Sequence, residues 1–200
     1  MNNRLLCGLA LITLSLIACK KDDEDTPQTP ATIKDSILVG SLNFPWEILW
    51  GPDDHIWMTE RGGEISRVNP ATGVISPVFN ITEVESNGEG GLLGMVLHPN
   101  FATTPHVFVV YNYDDGGTYK EKVVRYNYNG TTLTSPTPII ENIAAANIHN
   151  GSRLLISSDL KLFITTGDAS NPSLSQDNSK LNGKVPIWRS EERRVGKECR

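Results

Sequence analysis

An approximate repeat of about 50 residues is the feature that most restricts the fold of this 200-residue chain. In each copy, a short β-type segment with an aromatic residue follows a turn and leads into a polar loop. The aromatic residues Trp57, Phe108 and Phe163 lie 51 and 55 residues apart. A period of this length, built from about four strands, is typical of a β-propeller blade. The sequence therefore predicts an all-β propeller, with about three blades in residues 37–188.

The segments between residues 37 and 188 support an all-β class. Short runs rich in Val, Ile, Phe, Tyr and Trp favour strands, and the Gly, Pro, Asn and Asp residues between them favour turns. No segment has a sustained helical period. A β-sandwich is the competing architecture, but a sandwich does not repeat at this spacing. The predicted strands are residues 46–50, 56–59, 65–68, 92–97, 107–113, 123–128, 154–157 and 162–166.

The start of the chain is predicted to lie outside the propeller. Residues 1–18 combine a positive charge at Arg4 with an apolar stretch too short to span a bilayer comfortably, as in an export signal. They lead into Leu-Ile-Ala-Cys, which resembles a bacterial lipobox and implies cleavage before Cys19 and lipidation of its thiol. An ordinary secretory signal or a membrane anchor is the alternative. Charged residues and prolines then predict a polar tether over 19–36. These features predict an envelope protein, lipid-anchored at the outer membrane and facing the periplasm or the surface.

The last residues, 189–200, do not continue the repeat. The run RSEERRVGKEC resembles the translation of a sequencing adapter, with a genuine basic tail as the alternative. We expect the natural protein to continue with a different sequence. Because the three cysteines are Cys7, Cys19 and Cys199, the predicted propeller contains no thiol, which excludes a cysteine nucleophile, a cysteine metal site and a disulfide there. The formal net charge of -5 excludes a nucleic-acid binder that relies on a basic face.

A histidine and an aspartate are the strongest candidates for chemistry. His149 lies in a polar loop that leads into a strand, and such loops can lie at the central channel of a propeller. An imidazole there can accept a proton near neutral pH. Asp168 ends the next strand, so an antiparallel pair joined by a turn would bring the two together. A carboxylate beside an imidazole fixes its tautomer and stabilises the imidazolium. The alternatives are a structural loop histidine and a turn-capping aspartate.

A segment that begins with several glycines, residues 88–101, supplies a third candidate. Its glycines permit close approach of the backbone to a ligand, and Glu89 is available to bond a substrate hydroxyl. The alternative is a glycine-rich strand entry with a surface glutamate. His98 precedes a proline in a turn and is interpreted as structural. No phosphate loop, dinucleotide fingerprint, zinc spacing or nucleophile elbow is present. Residues 114–117 (DDGG) lack the spaced acids of an EF-hand and are predicted to be a hairpin tip.

Three motifs occur in order along the predicted propeller. They are WMTERGGEISRVNPATG (57–73), GEGGLLGMVLHPNF (88–101), and HNGSRL (149–154) followed by TGD (166–168). Together they resemble the soluble, PQQ-dependent glucose/sorbosone dehydrogenases, also called aldose sugar dehydrogenases. The resemblance covers about residues 37–185, where LNGKV is similar to the start of a further strand of that family.

This resemblance implies a six-bladed propeller that oxidises an aldose at its anomeric hydroxyl to the lactone, as hydride passes to the quinone, and delivers electrons to an external acceptor. It implies pyrroloquinoline quinone (PQQ) bound through Ca²⁺, with most ligands further along the family chain than this sequence extends. This chain alone is therefore expected not to bind the cofactor properly. The family's general base matches His149, and the aspartate that orients it matches Asp168. Glu89 stands where some members have a glutamine near the substrate.

Two other functions stay open from the sequence. A Ca²⁺-dependent lactonase propeller would use metal-bound water and no quinone, and a non-catalytic propeller would bind carbohydrate or protein. A shared fold does not separate these functions. The pairing of His149 with Asp168 favours the dehydrogenase over the binding propeller, and the part of the family's length missing here would separate it from the lactonase.

Overall fold

The computed structural model describes residues 34–189, so the predicted signal, Cys19 and the tail from residue 190 lie outside the described residues. The chain divides into two compact units between Ser36 and Ile37. Within the described range, no helix is long and apolar enough to cross a membrane. The elements of the second unit are β1 (Pro45–Trp50), β2 (Ile56–Glu60), β3 (Glu64–Val68), β4 (Ile75–Asn80), β5 (Leu92–Leu97), β6 (His106–Asp114), β7 (Tyr119–Tyr128), β8 (Leu133–Ala144), β9 (Gly151–Ile156), β10 (Lys161–Thr166), α1 (Pro172–Gln176) and β11 (Ile187–Arg189).

Three antiparallel sheets follow one another along the chain. Blade 1 has the strand order β1-β2-β3-β4, blade 2 has the order β5-β6-β7-β8, and blade 3 contains β9, β10 and β11 with β10 in the middle. The first strands of the blades lie side by side, because β5 contacts both β1 and β9. These are three consecutive blades of a β-propeller, and they confirm the predicted all-β fold.

The aromatic repeat marks the second strand of each blade, and in blades 1 and 2 its side chain faces the following blade. Trp57 is fully buried in the core between blades 1 and 2, where its ring meets those of Phe101 and Tyr128 edge-on at 5.7 and 5.0 Å. Phe108 is fully buried in the core between blades 2 and 3. Phe163 lies on the opposite face of β10 from the neighbouring core residues and is partly exposed. In blades 1 and 2, the repeat therefore follows from one large side chain that fills the space between adjacent sheets.

Strand β6 shows why this packing needs alternating apolar residues. Val107, Val109 and Tyr111 belong to the core with blade 1, whereas Phe108 and Val110 belong to the core with blade 3. Successive side chains of a strand point to opposite faces, so a central blade buries both faces of its second strand. This explains why β6 reads as a nearly continuous apolar run.

The outermost strands were missing from the sequence prediction. β4 contains Pro77, and β8 contains Pro136 and Pro138, which favour a loop reading in the sequence. Both are edge strands in their sheets and pair with irregular register. A proline is tolerated at a sheet edge because its missing N–H can face away from the neighbouring strand. The hairpin tip predicted at residues 114–117 is present, with Gly117 N donating to Asp114 Oδ1 at 2.8 Å.

A small polar network closes the turn between β1 and β2. The Asp53 carboxylate accepts a hydrogen bond from Trp57 Nε1 at 3.0 Å and pairs with Arg67 at 2.7 Å. Partial burial raises the pKa of Asp53, but the bonds from Trp57 and Arg67 outweigh it, so the pKa lies below its usual value of 3.8. Because the folded-state pKa is lowered, the carboxylate stabilises the fold above about pH 4. That contribution is lost as the pH falls through the folded-state pKa.

We expect Asp53→Asn to lower the free energy of unfolding at pH 7 by about 1 kcal/mol, since a charged partner of Trp57 and Arg67 is removed. The difference from the wild type should shrink as the pH falls below about 4, and it should vanish once the Asp53 carboxyl of the folded protein is protonated. Denaturant unfolding at several pH values measures it. Asp54→Asn, at the exposed neighbouring position, is the matched control and should leave stability unchanged. A difference that stays constant throughout this pH range would show that the charge is not responsible.

Candidate active site

The loop before β9 adopts an unusual backbone that presents His149. His149 and Ser152 have φ angles of 61° and 80°, in the left-handed region that side-chain-bearing residues disfavour. Gly151 lies between them with φ of 83°. The buried Asn150 side chain closes the loop, because it accepts a bond from Ala146 N at 3.1 Å and donates to Ala146 O at 2.8 Å. Strained conformations of this kind persist where the surrounding structure enforces them, and they cluster at functional sites.

Asp168 reaches His149 because β9 and β10 are antiparallel neighbours. Thr166 pairs with Gly151 at the end of the ladder, and the chain continues alongside the His149 loop. Gly167 N donates to Asn150 O at 2.7 Å, which holds the two segments together. His149 Nδ1 then lies 3.0 Å from Asp168 Oδ1. The structure thus brings together the two residues that the sequence analysis paired.

This contact determines the available chemistry of the imidazole. A carboxylate only accepts hydrogen bonds, so Nδ1–H of His149 is the donor to Asp168, and Nε2 of the neutral ring is an acceptor. Among the described residues, none bonds to Nε2. The His149 side chain is 57% exposed, whereas that of Asp168 is 24% exposed. The arrangement is an oriented, accessible base whose protonated form a neighbouring carboxylate would stabilise.

Glu89 comes from a different blade and meets the same loop. Its carboxylate Oε2 accepts a hydrogen bond from His149 N at 3.2 Å, and its own N–H donates to Asn147 O at 2.6 Å. None of the described residues bonds to its second carboxylate oxygen. All three predicted site residues are therefore adjacent, and Glu89 lies where a hydroxyl close to His149 could donate to it.

The glycines around Glu89 have a different role from the one predicted. A Cβ at Gly88 would lie 2.2 Å from Asn147 O, and one at Gly94 would lie 2.0 Å from Ser152 O. These glycines allow blade 2 to approach the backbone of the His149 segment, rather than a ligand. The prediction of glycines that face a ligand was wrong for these two, because a sequence shows the need for space but not what occupies it.

The described residues offer a base and carboxylates but no evident site for a metal. Among them, no group of three His, Cys, Asp or Glu side chains could hold a metal ion. The cationic residue that is closest to His149 in the sequence is Arg153. It pairs with the buried Glu47 carboxylate of β1. We therefore assign no metal ligand within the described range.

Sequence reasoning missed three buried polar residues that lie beneath this site. Asn112, Glu121 and Ser152 are at most 1% exposed. The available signal was alternation in β7, which places Glu121 on the same face as the core residue Val123. That signal is weak, because an isolated acidic residue in a strand is usually on the solvent side.

Comparisons with known proteins agree with this geometry. The sequence model of the family described as Glucose / Sorbosone dehydrogenase matches residues 42–191. Quinoprotein glucose dehydrogenase B of Acinetobacter calcoaceticus is 32% identical over 88% of this chain and 41% of its own length. An oxidoreductase from Thermus thermophilus, called a glucose dehydrogenase, superposes with a TM-score of 0.71 at 31% identity, over 77% of this chain and 46% of that one.

A structure of the aldose sugar dehydrogenase of Streptomyces coelicolor in its PQQ-bound form is also similar. It has a TM-score of 0.66 and 28% identity over 75% of this chain and 46% of that one. The chain thus spans less than half the length of the relatives it matches.

Proposed function

Because the chain belongs to the glucose/sorbosone dehydrogenase family, we propose that its protein oxidises the anomeric hydroxyl of an aldose to the lactone, with His149 as the general base. The observation that carries the proposal is the orientation of His149. Its Nδ1 is bound to Asp168, no described residue bonds to its Nε2, and its side chain is 57% exposed. The quinoprotein name of one relative and the PQQ-bound structure of another support PQQ as the cofactor.

The residues divide the proton chemistry among them. His149 Nε2 takes the proton of the anomeric hydroxyl, and Asp168 stabilises the resulting imidazolium. The free Glu89 oxygen accepts a hydrogen bond from a second sugar hydroxyl and orients the ring. When bound, PQQ supplies the acceptor for the hydride that leaves the anomeric carbon.

The described residues fit the sugar side of this reaction better than the binding of the cofactor itself. PQQ carries carboxylates, which cationic side chains recognise. Near the site, Arg153 is already paired with Glu47, while Glu89 and Asp168 add negative charge. We assign proton transfer and sugar positioning to this part of the chain and assign no PQQ ligand within it. Ca²⁺ stays in the proposal on the family resemblance alone.

The cellular setting extends the proposal to residues outside the described range. The lipobox resemblance supports a lipid anchor at Cys19 and a location in the bacterial envelope. The family resemblance supports electron transfer to an external acceptor. These assignments remain predictions from the sequence.

The test uses the full-length protein that carries these residues, expressed without residues 1–18. PQQ and Ca²⁺ are added, and reduction of a dye acceptor is followed with a panel of aldoses. Turnover that requires both PQQ and an aldose would support the proposal. A folded protein that neither binds PQQ nor oxidises any aldose would contradict it, and would favour a lactonase or a binding propeller.

Asp168→Asn is expected to lower kcat/KM for the aldose about 10- to 100-fold, because an amide can donate to Nδ1 and so favour the wrong tautomer of His149. The loss is smaller than for a fully buried orienting carboxylate, because Asp168 is 24% exposed. Ser170 N also donates to Asp168 Oδ1, at 3.0 Å, but this bond lies in an exposed turn and contributes about 1 kcal/mol, so folding should change little. Steady-state kinetics measures the effect. Asp159→Asn, on an exposed turn of blade 3, is the matched control, and an equal loss there would remove the specific role of Asp168.

A further inference from the structure

A pair of polar side chains is buried beneath the candidate site in blade 2. Asn112 of β6 and Glu121 of β7 are direct partners in the antiparallel register, so their side chains share one face of the sheet. That face carries Phe108, Val110 and Val123 and forms the core with blade 3. A buried polar group destabilises the fold unless it is hydrogen-bonded. The hydrogen bonds of Asn112 and Glu121 therefore indicate their role.

Each member of the pair holds one of the two segments that build the site. Asn112 Oδ1 accepts a hydrogen bond from Gly91 N at 3.0 Å, in the segment that carries Glu89. The Glu121 carboxyl accepts a hydrogen bond from Ser152 Oγ at 2.7 Å. Ser152 lies three residues after His149, where the strained turn leads into β9. One cross-strand pair in blade 2 therefore contacts both the carboxylate segment and the base segment.

We propose that Glu121 is a positioning residue, which acts through Ser152 to fix the strained turn that presents His149, while its partner Asn112 fixes the segment of Glu89. The pair then sets the separation between the base and the substrate-binding carboxylate. The catalytic meaning of this inference rests on the proposed function. The positional claim concerns only contacts within this chain.

The protonation state of Glu121 agrees with this role. Burial raises its pKa to about 8, although the bond from Ser152 acts in the opposite direction. The groups that face it are Asn112 from β6, Ile143 from β8 and Ser152 from β9. Tyr119 on its own strand feels its charge, but burial raises the pKa of Tyr119 to about 12, so this phenol is neutral where Glu121 titrates.

A neutral carboxyl can be replaced by an amide of the same shape. Oε1 of Glu121 and Nδ2 of Asn112 have no partner among the described residues, so within that range the bond from Ser152 is the only one that the carboxyl receives. Lys122, the next residue, lies over the Tyr113 ring at 4.1 Å and pairs with Glu83 instead. Glutamine at position 121 should therefore reproduce the wild-type contact with Ser152. Methionine, which is of similar size, should remove that contact.

The test compares Glu121→Gln, Glu121→Met and Ser152→Ala in the full-length protein at pH 7, without cofactor or sugar. Amide hydrogen exchange is measured in the peptide that spans residues 146–153. Methionine at 121 and alanine at 152 should each speed exchange there about tenfold, because one buried hydrogen bond to the turn is lost. Glutamine should stay within about twofold of the wild type. Peptides from β2 and β3 of blade 1 serve as the internal control and should not change.

Kinetics provides a readout that a merely structural role would not change. In the PQQ-loaded protein, Glu121→Met should lower kcat more than it raises KM, and Glu121→Gln should retain both.

Two results would overturn the inference. One is equal exchange in Glu121→Gln and Glu121→Met, and the other is an increase spread evenly over blade 1. If Glu121→Met prevents folding, the other two variants still test the inference. Ser152→Ala must speed exchange in the turn, and Glu121→Gln must not. If the wild-type protein oxidised no sugar, only the proposed function would be contradicted. The exchange measurement would still test the positional claim, because it needs neither cofactor nor sugar.

Discussion

His149→Asn is expected to lower kcat/KM for an aldose by about 10²- to 10⁴-fold in the full-length protein supplied with PQQ and Ca²⁺, the range that general base catalysis contributes. The loss should fall on kcat, because the imidazole takes a proton in the reacting complex and contributes little to sugar binding. Steady-state dye reduction with the best aldose of the panel measures it. The unfolding temperature should stay close to that of the wild type.

Asparagine is the informative substitution because of the backbone. His149 has a φ of 61°, and asparagine tolerates this left-handed conformation better than most residues. His149→Ala would combine loss of the base with added strain. His55→Asn is the matched control, since His55 bonds to Asp53 O in a turn of blade 1, and it should leave kcat/KM within about twofold. Full activity in His149→Asn would exclude this residue as the base.

Among substitutions that add a single methyl group near His149, Gly167→Ala should have the largest effect on stability and activity. A Cβ at this position would lie 1.6 Å from the carbonyl oxygen of His149 and 2.3 Å from its carbonyl carbon. Backbone cannot rotate away as a side chain does, so the strands must separate or the His149 loop must move. We expect a loss of about 3 kcal/mol in the free energy of unfolding, at the upper end for overpacking, and a fall in kcat of about 100-fold from displacement of the base.

Denaturant unfolding and steady-state kinetics together measure this prediction. Gly62→Ala is the matched control, because the nearest atom to its added methyl group would be Asn43 Nδ2 at 3.8 Å. That variant should lie within about 0.5 kcal/mol of the wild type. If Gly167→Ala keeps both stability and activity, the close approach of the segment after β10 to the His149 loop is not needed.

The fold was largely predictable because one physical pattern repeats. Each blade places an aromatic residue in its second strand, and burial of Trp57 and Phe108 against the next blade accounts for the spacing that Phe163 continues. The outer strands β4 and β8 were not predictable. Their prolines oppose strand formation locally, and only their position at a sheet edge makes them acceptable.

The candidate site was likewise predictable only in part. Proximity of His149 and Asp168 could be expected, because a hairpin of neighbouring strands brings its ends together. The contact of Glu89 with His149 N and the burial of Asn112 and Glu121 could not, since both depend on how blade 2 packs against blade 3. Long-range packing leaves little trace in a single sequence.

The contacts of His149 also imply an order of assembly during synthesis. Its bond to Asp168 spans 19 residues within one hairpin, whereas its bond to Glu89 spans 60 residues and crosses from blade 3 to blade 2. Closing a short loop costs less entropy than closing a long one, and local contacts form sooner. A nascent chain would therefore orient its imidazole as soon as β9 and β10 pair. It would add the glutamate only when that hairpin docks on the blade made before it.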